Sequence, residues 1–228
     1  MTETEILSRC DHTILKQDAV FQDIARLIDD AVLFGTASVC IPPRFVRQAV
    51  SYAGGKMPIC TVIGFPNGYH TAEVKRIETR EAIRDGADEI DMVIHIGGLK
   101  ASLLPDGSIN EEEFRRLVDE IAMIKKETGD KILKVIIETC LLTEEEKRLA
   151  CRAVAEGGAD YIKTSTGFSS AGAKTADIRL FRENLPAGVK IKAAGGIRTF
   201  SFAEELIMAG ADRVGASALV SLAKQASK

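Results

Sequence analysis

Two lysines of this sequence lie inside apolar runs that are typical of buried β-strands. Lys163 stands in the segment YIKTS and Lys192 in VKIKAA, directly before two glycines. One interpretation is a lysine at a strand edge whose ammonium group reaches water. In the other, neighbouring barrel strands bring both ammonium groups into one low-dielectric mouth. Desolvation and the second charge there favour a neutral amine, which can attack an aldehyde. Lys190 is nearer the start of its strand, and we expect it to be structural.

Three acidic residues are expected in the same mouth. Asp91 lies within the apolar segment EIDMVI, where an unpaired carboxylate would be costly to bury. It either forms an ion pair with one of the two lysines or relays protons at a Schiff base, and both roles predict the same neighbours. Glu138 ends the segment VIIE, and Asp11 belongs to a proposed first strand. We expect these two carboxylates to hold the lysines in place.

Small residues follow each of the last three predicted strands at a similar distance. Glycines in such loops let an anion approach the backbone N–H groups, and loops after the late strands of a barrel commonly bind phosphate. Tight turns without a ligand are the alternative interpretation. The predicted phosphate-binding residues are Gly167, Gly195, Gly196 and Ser217.

The elements that must position these residues follow a strand–helix rhythm. Gly-Ala-Asp occurs at 86–88, 158–160 and 210–212, each time after a helical stretch and before a strand, and we interpret it as a helix-ending turn. Asp91, Lys163 and Gly215 follow these repeats at equal spacing, so all three are expected to face one interior. Strands are predicted at 9–13, 37–41, 59–63, 89–94, 133–138, 161–165, 189–193 and 213–216.

Eight such units predict an α/β fold, a (β/α)8 TIM barrel. A doubly wound open sheet has the same alternation, but no G-x-G-x-x-G follows the first strand. No linker composition divides the sequence, so we expect a single barrel domain over residues 1–228.

Composition excludes several other classes of protein. The net charge is −3 over 228 residues, without the basic stripe that nucleic-acid binding requires. The five cysteines contain no C-x-x-C pair and the three histidines no metal-ligand spacing, so we expect neither disulfides nor a metal site. The first residues lack the features of a signal peptide, and no apolar stretch is long enough for a membrane span. These observations predict a cytoplasmic protein.

The sequence resembles the deoxyribose-phosphate aldolases along nearly its whole length. The matching segments are DHT with the following LK, SVC, CTVIGFPNG, EIDMVIHIG, VIIETCLLT, YIKTSTGF and KAAGGIRT. The resemblance implies that Lys163 forms a Schiff base with 2-deoxyribose 5-phosphate, that Lys192 perturbs it, that Asp91 relays protons, and that Cys40 supports the site. It also implies that the glycine loops bind the phosphate and that no cofactor is needed. We expect a phosphosugar as the partner, no nucleic acid or membrane, and a homodimer or homotetramer.

Three features depart from the family pattern. His95 stands where the family usually carries Asn, the segment 101–110 is longer than usual, and the C-terminus lacks the terminal tyrosine of some members. The first two follow the Asp91 strand and are expected to reshape the mouth. Two other functions stay open at this point, a barrel phosphosugar isomerase and a non-catalytic phosphosugar-binding protein.

Overall fold

A computed structural model describes residues 1–226 and contains a closed barrel of eight parallel strands in sequence order. All eight predicted strand regions are therefore confirmed, and with them the barrel rather than the open sheet. The strands are β1 (Cys10–Thr13), β2 (Ser38–Ile41), β3 (Ile59–Ile63), β4 (Glu89–Val93), β5 (Ile132–Ile136), β6 (Tyr161–Lys163), β7 (Lys190–Ala194) and β8 (Arg213–Ala216).

Ten helices surround the barrel within the described residues. They are α1 (Glu3–Leu7), α2 (Phe21–Phe34), α3 (Val46–Ala53), α4 (Ala72–Arg84), α5 (Ile96–Ala101), α6 (Glu111–Thr128), α7 (Glu144–Glu156), α8 (Thr175–Asn184), α9 (Phe200–Met208) and α10 (Leu219–Ala226). Side chains cap the first turns of several: Thr71, Asn110, Thr143 and Thr199 each accept a hydrogen bond from a backbone N–H three residues on. Across residues 1–226, none of these helices combines the length and apolar character that a membrane crossing requires.

Two predicted strands end two residues earlier than expected. β5 stops at Ile136 because Glu138 has a left-handed backbone with φ of 52°, which cannot continue a strand. β6 stops at Lys163 instead of reaching 165. Lys163 is thus the last residue of its strand, at the carboxyl end of the barrel where the loops begin.

The Gly-Ala-Asp repeats have a second role besides ending helices. The three glycines have positive φ, as a left-handed helix end requires. Each aspartate also accepts a hydrogen bond from a backbone N–H at the start of the preceding strand. Ile59 donates to Asp88 (3.0 Å), Leu133 to Asp160 (2.7 Å) and Ile191 to Asp212 (2.8 Å). The repeats therefore join neighbouring strands at the amino end of the barrel. They thereby set the register of the residues further along the same strands, towards the carboxyl end.

Candidate active site

Lys163, Lys192 and Asp91 meet inside the barrel, as the sequence predicts. Lys163 pairs in register with Lys192 across β6 and β7, and Asp91 enters from β4 on the far side. The Nζ atoms of Lys163 and Lys192 both donate to Oδ2 of Asp91, at 2.7 and 2.8 Å. Lys192 and Asp91 are fully buried, and Lys163 is 3% exposed. Asp91 therefore pairs with both lysines, Lys163 and Lys192, through a single oxygen atom, Oδ2.

A third buried lysine binds the same carboxylate and was not anticipated. Lys134 on β5 lies opposite Asp91 in the β4–β5 register, and its Nζ donates to Oδ1 of Asp91 at 2.9 Å and to Glu89 at 2.5 Å. The signal in the sequence was present, because Lys134 interrupts the apolar segment ILKVI much as Lys163 interrupts its own strand. Such a lysine indicates a barrel interior with carboxylates to receive it.

Asp11 and Arg213 complete this charged cluster. Asp11 on β1 binds Lys192, as expected, and also Arg213, while the guanidinium of Arg213 donates to Glu89 at 3.0 Å. The cluster therefore contains four cations and three carboxylates. The cations are Lys134, Lys163, Lys192 and Arg213, and the carboxylates are Asp11, Glu89 and Asp91. With every group ionised it carries one positive charge in excess.

The buried charges change the acidity of their own members. Burial acts to raise the pKa of the Asp91 carboxyl, but Lys134, Lys163 and Lys192 outweigh burial and hold that pKa well below its usual range. Burial likewise acts to lower the pKa of Lys192, whereas Asp11 and Asp91 raise it above its ordinary value. Lys192 is therefore a fixed positive charge beside Lys163. The sequence predicted this neighbour and the two carboxylates beside it, but not Lys134, Glu89 or Arg213, which complete the cluster.

Two thiols lie directly against Asp91. The Sγ atom of Cys60 donates to Oδ1 of Asp91 at 3.2 Å. Cys40, on the neighbouring strand β2, is the register partner of Cys60. A hydrogen bond with Cys60 lowers the pKa of Cys40, whereas burial raises that of Cys60. Among residues 1–226, Cys40, Cys60 and Asp91 form the one group whose ligand atoms lie close enough to hold a metal ion, all within 4.8 Å of one another, and no histidine joins it.

The predicted phosphate-binding residues line one cleft with Lys163. This cleft of about 450 Å³ lies at the carboxyl ends of β6, β7, β8 and β1, and its lining includes Gly167, Gly195, Gly196 and Ser217. Gly195 must be glycine, since a Cβ there would lie 3.0 Å from the Cα of Gly172 and its φ is +86°. The four predicted phosphate-binding residues and Lys163 thus line the same opening.

Other expectations about the mouth are wrong. Glu138 does not bind a lysine within the described residues, because its carboxylate accepts from the N–H and hydroxyl groups of Thr166. His95 is exposed, stands at the N-cap position of α5 without a side-chain capping hydrogen bond, and lines a different cleft with Tyr69 and His70. Neither it nor the segment 101–110 is among the residues that line the Lys163 cleft. The expectation about the missing terminal tyrosine falls on residues 227–228, which lie outside the described part of the chain.

Lys190 agrees with the structural role that the sequence assigns to it. It is the first residue of β7, it is exposed, and its Nζ lies 5.7 Å from the centre of the Tyr161 ring. Two residues further along the same strand, Lys192 is fully buried. Taken together, fold and site define a barrel in which a buried lysine amine lies at the floor of a glycine-lined cleft, an arrangement typical of Schiff-base aldolases.

Comparison with known proteins gives the family. Residues 6–226 match the DeoC/LacD family aldolase. A deoxyribose-phosphate aldolase from Clostridioides difficile is 48% identical over 219 residues, covering 96% of this chain and 95% of that protein. One from Clostridium botulinum is 47% identical over 98% of this chain and 97% of its own length. A deoxyribose phosphate aldolase from Aeropyrum pernix, whose structure is described as tetrameric, superposes with a TM-score of 0.84 at 28% identity, covering 100% and 93%. This chain belongs to the DeoC/LacD family of aldolases.

Proposed function

We propose that this protein cleaves 2-deoxyribose 5-phosphate to glyceraldehyde 3-phosphate and acetaldehyde through a Schiff base on Lys163. The observation that carries the proposal is the pair of lysines on one oxygen of Asp91, at the floor of the glycine-lined cleft. The family membership and the names of the relatives support the same substrate.

Charge balance and access to the cleft support Lys163 as the nucleophile. A neutral Lys163 leaves three cations facing three carboxylates in the cluster. Lys134 and Lys192 are both fully buried, and Lys134 forms ion pairs with three carboxylates and Lys192 with two. Lys163 binds one carboxylate and lines the cleft. It is therefore the amine that an aldehyde can reach and that the cluster can spare as a cation.

The reaction then proceeds in balanced steps. The open-chain aldehyde condenses with the neutral Lys163 amine and takes up one proton, so that water leaves and an iminium forms. The final hydrolysis returns this proton. The C3 hydroxyl loses its proton to Asp91 through water, the C2–C3 bond breaks, and its electron pair moves into the iminium to form an enamine. Glyceraldehyde 3-phosphate leaves. Asp91 returns the proton to the enamine carbon through water, and hydrolysis frees acetaldehyde and the Lys163 amine.

The surroundings of Asp91 disfavour the isomerase alternative. A phosphosugar isomerase without a Schiff base needs a carboxylate that is free to act as the base on substrate carbon. Asp11, Glu89 and Asp91 are buried and are not among the residues that line the Lys163 cleft, so they are not placed to touch substrate carbon, whereas Asp91 can exchange protons through water. These carboxylates therefore suit electrostatic support and a proton relay.

Reductive trapping tests the proposal directly. Acetaldehyde and borohydride should add one ethyl group to Lys163, identified by peptide mass spectrometry. Lys163→Arg should abolish this adduct because guanidinium remains protonated. Lys190→Arg, at the exposed start of the neighbouring strand, is the matched control and should leave the adduct in place. A wild-type protein that forms no adduct on Lys163 would contradict the Schiff base and return the isomerase and the binding protein to consideration.

The cellular setting is part of the same proposal. The enzyme acts in the cytoplasm as a homodimer or homotetramer, and the tetrameric Aeropyrum pernix relative supports an assembly of this kind. Light scattering coupled to size-exclusion chromatography measures the assembled mass. A monomer at micromolar concentration would contradict the oligomeric part of the proposal and leave the chemistry unaffected.

A further inference from the structure

Glu138 combines two features that are individually unfavourable. It is the single non-glycine residue with positive φ among residues 1–226, and its side chain is buried, with the residue 2% exposed. No lysine, arginine or histidine within these residues forms an ion pair with its carboxylate. A strained backbone and a buried carboxylate without a cation both cost free energy. They are found where contacts with the surrounding residues hold them in place.

Thr166 donates all of the hydrogen bonds that the Glu138 carboxylate accepts within the described residues. The backbone N–H of Thr166 lies 3.3 Å from Oε1 and 3.4 Å from Oε2, and its hydroxyl donates to Oε2. The Thr166 oxygen in turn accepts from the backbone N–H of Phe168 at 3.0 Å. Gly167 is thus held from both sides, by its two neighbours in the chain.

The loop that Glu138 holds, residues 164–168, begins directly after Lys163 and forms part of the cleft wall. Gly167 has φ of +86°, and a Cβ built on Gly195 would lie 3.6 Å from the Cα of Gly167. The two glycine loops are therefore nearly in contact. A shift of the 164–168 loop by a few tenths of an ångström changes the space in which an anion meets their N–H groups.

We propose that Glu138 is a positioning residue that fixes Gly167 for the phosphate of the substrate, acting through Thr166. This inference rests on the proposed function, since it assumes that the phosphate occupies the glycine-lined cleft. It differs from the expectation drawn from the sequence, in which Glu138 holds a lysine. The left-handed backbone at Glu138 turns its carboxylate toward the next loop, and Thr139 reinforces the contact by donating its N–H to the carbonyl of Thr164 at 2.9 Å.

Two conservative variants test the inference. Glu138→Gln replaces one accepting oxygen by an NH₂ group that cannot accept from Thr166. Thr166→Val removes the hydroxyl and keeps the size. Each should raise KM for 2-deoxyribose 5-phosphate about tenfold and change KM for 2-deoxyribose less than about twofold. The double variant should be little worse than either single one, because both remove the same interaction. Glu145→Gln, on the exposed first turn of α7, is the matched control.

The measurements separate a positioning role from a structural one. Circular dichroism and thermal unfolding identify any variant that is misfolded, and Thr166→Val serves if Glu138→Gln proves unstable. Equal losses on the two substrates, or additive losses in the double variant, would overturn the inference. Trapping on Lys163 in the wild type keeps it distinct from the proposed function. An adduct with unchanged KM ratios in the variants refutes only the role of Glu138, and no adduct refutes the function itself.

Discussion

Replacing Lys192 with Met removes one of the two ammonium groups that bind Oδ2 of Asp91. Because both nitrogen atoms bind one oxygen, they lie no farther apart than the two hydrogen-bond distances laid end to end, about 5.5 Å. At an effective dielectric constant of about 20, two positive charges at that separation repel by about 3 kcal/mol. Losing this repulsion should move the acidic limb of the pH profile of kcat/KM upward by about two pH units.

The assay measures the initial rate of 2-deoxyribose 5-phosphate cleavage by the release of aldehyde. The pH range is about 5.5 to 10, which covers the ordinary pKa values of the side chains that titrate near neutrality and of lysine. The Met variant should lose activity at neutral pH and regain much of it in alkaline buffer. Lys192→Arg keeps the positive charge and should leave the limb near its wild-type position even where altered geometry lowers the rate. Circular dichroism at each pH restricts the comparison to folded protein.

The Met variant should still fold, at a cost of about 3 kcal/mol in unfolding free energy, because each carboxylate keeps another cation. Asp91 retains Lys134 and Lys163, and Asp11 retains Arg213. Lys190→Met is the matched control on the same strand and should change neither the limb nor the rate. A Met variant that is slow at every pH with an unmoved limb would refute the electrostatic reasoning and indicate that Lys192 acts in proton transfer or substrate positioning.

Four further predictions concern separate parts of the site. Lys163→Leu and Lys163→Arg should each reduce cleavage more than a hundredfold while leaving the circular dichroism spectrum intact, and retained turnover would contradict the nucleophile assignment. Gly196→Val should raise KM for the phosphorylated substrate far more than for 2-deoxyribose, since Gly196 lines the cleft with φ of +74°, which a β-branched residue adopts only by displacing the N–H groups of the loop; equal losses would indicate a turn residue only. Lys134→Met should lower the free energy of unfolding by about 3 kcal/mol, measured by urea titration, because it removes the ammonium group shared by Asp91 and Glu89; a change below about 1 kcal/mol would mean that Arg213 and the other lysines suffice. The folded-state pKa of Asp91 lies below its usual value of 3.8, so its contribution to stability is present above that pH and is lost as the pH falls toward the folded-state pKa. Urea midpoints should drop steeply below about pH 4 in the wild type and less steeply in Asp91→Asn.

Much of the architecture was readable in the sequence because it depends on local, repeated features. Alternation of β-branched runs with amphipathic stretches predicts eight strands, and the equal spacing after the Gly-Ala-Asp repeats places Asp91 and Lys163 at equivalent positions. The structure confirms this register, since the two side chains meet at 2.7 Å. The glycine loops were predictable for a related reason, because residues that follow parallel strands at equal distances must meet at one end of a barrel.

The contacts that closing the barrel creates were not readable in the same way. Lys134 binds Asp91 and Glu89 from the adjacent strand, and Arg213 reaches Glu89 across 124 positions of sequence, so their roles depend on which side chains share the interior. Glu138 is a second residue whose contacts the sequence did not predict. Its position after a buried strand predicts that it enters the mouth, but a single left-handed φ angle turns the carboxylate to Thr166. Backbone conformation at one residue and charge pairing across the barrel are properties of the folded chain, because neither leaves a periodic pattern in the sequence.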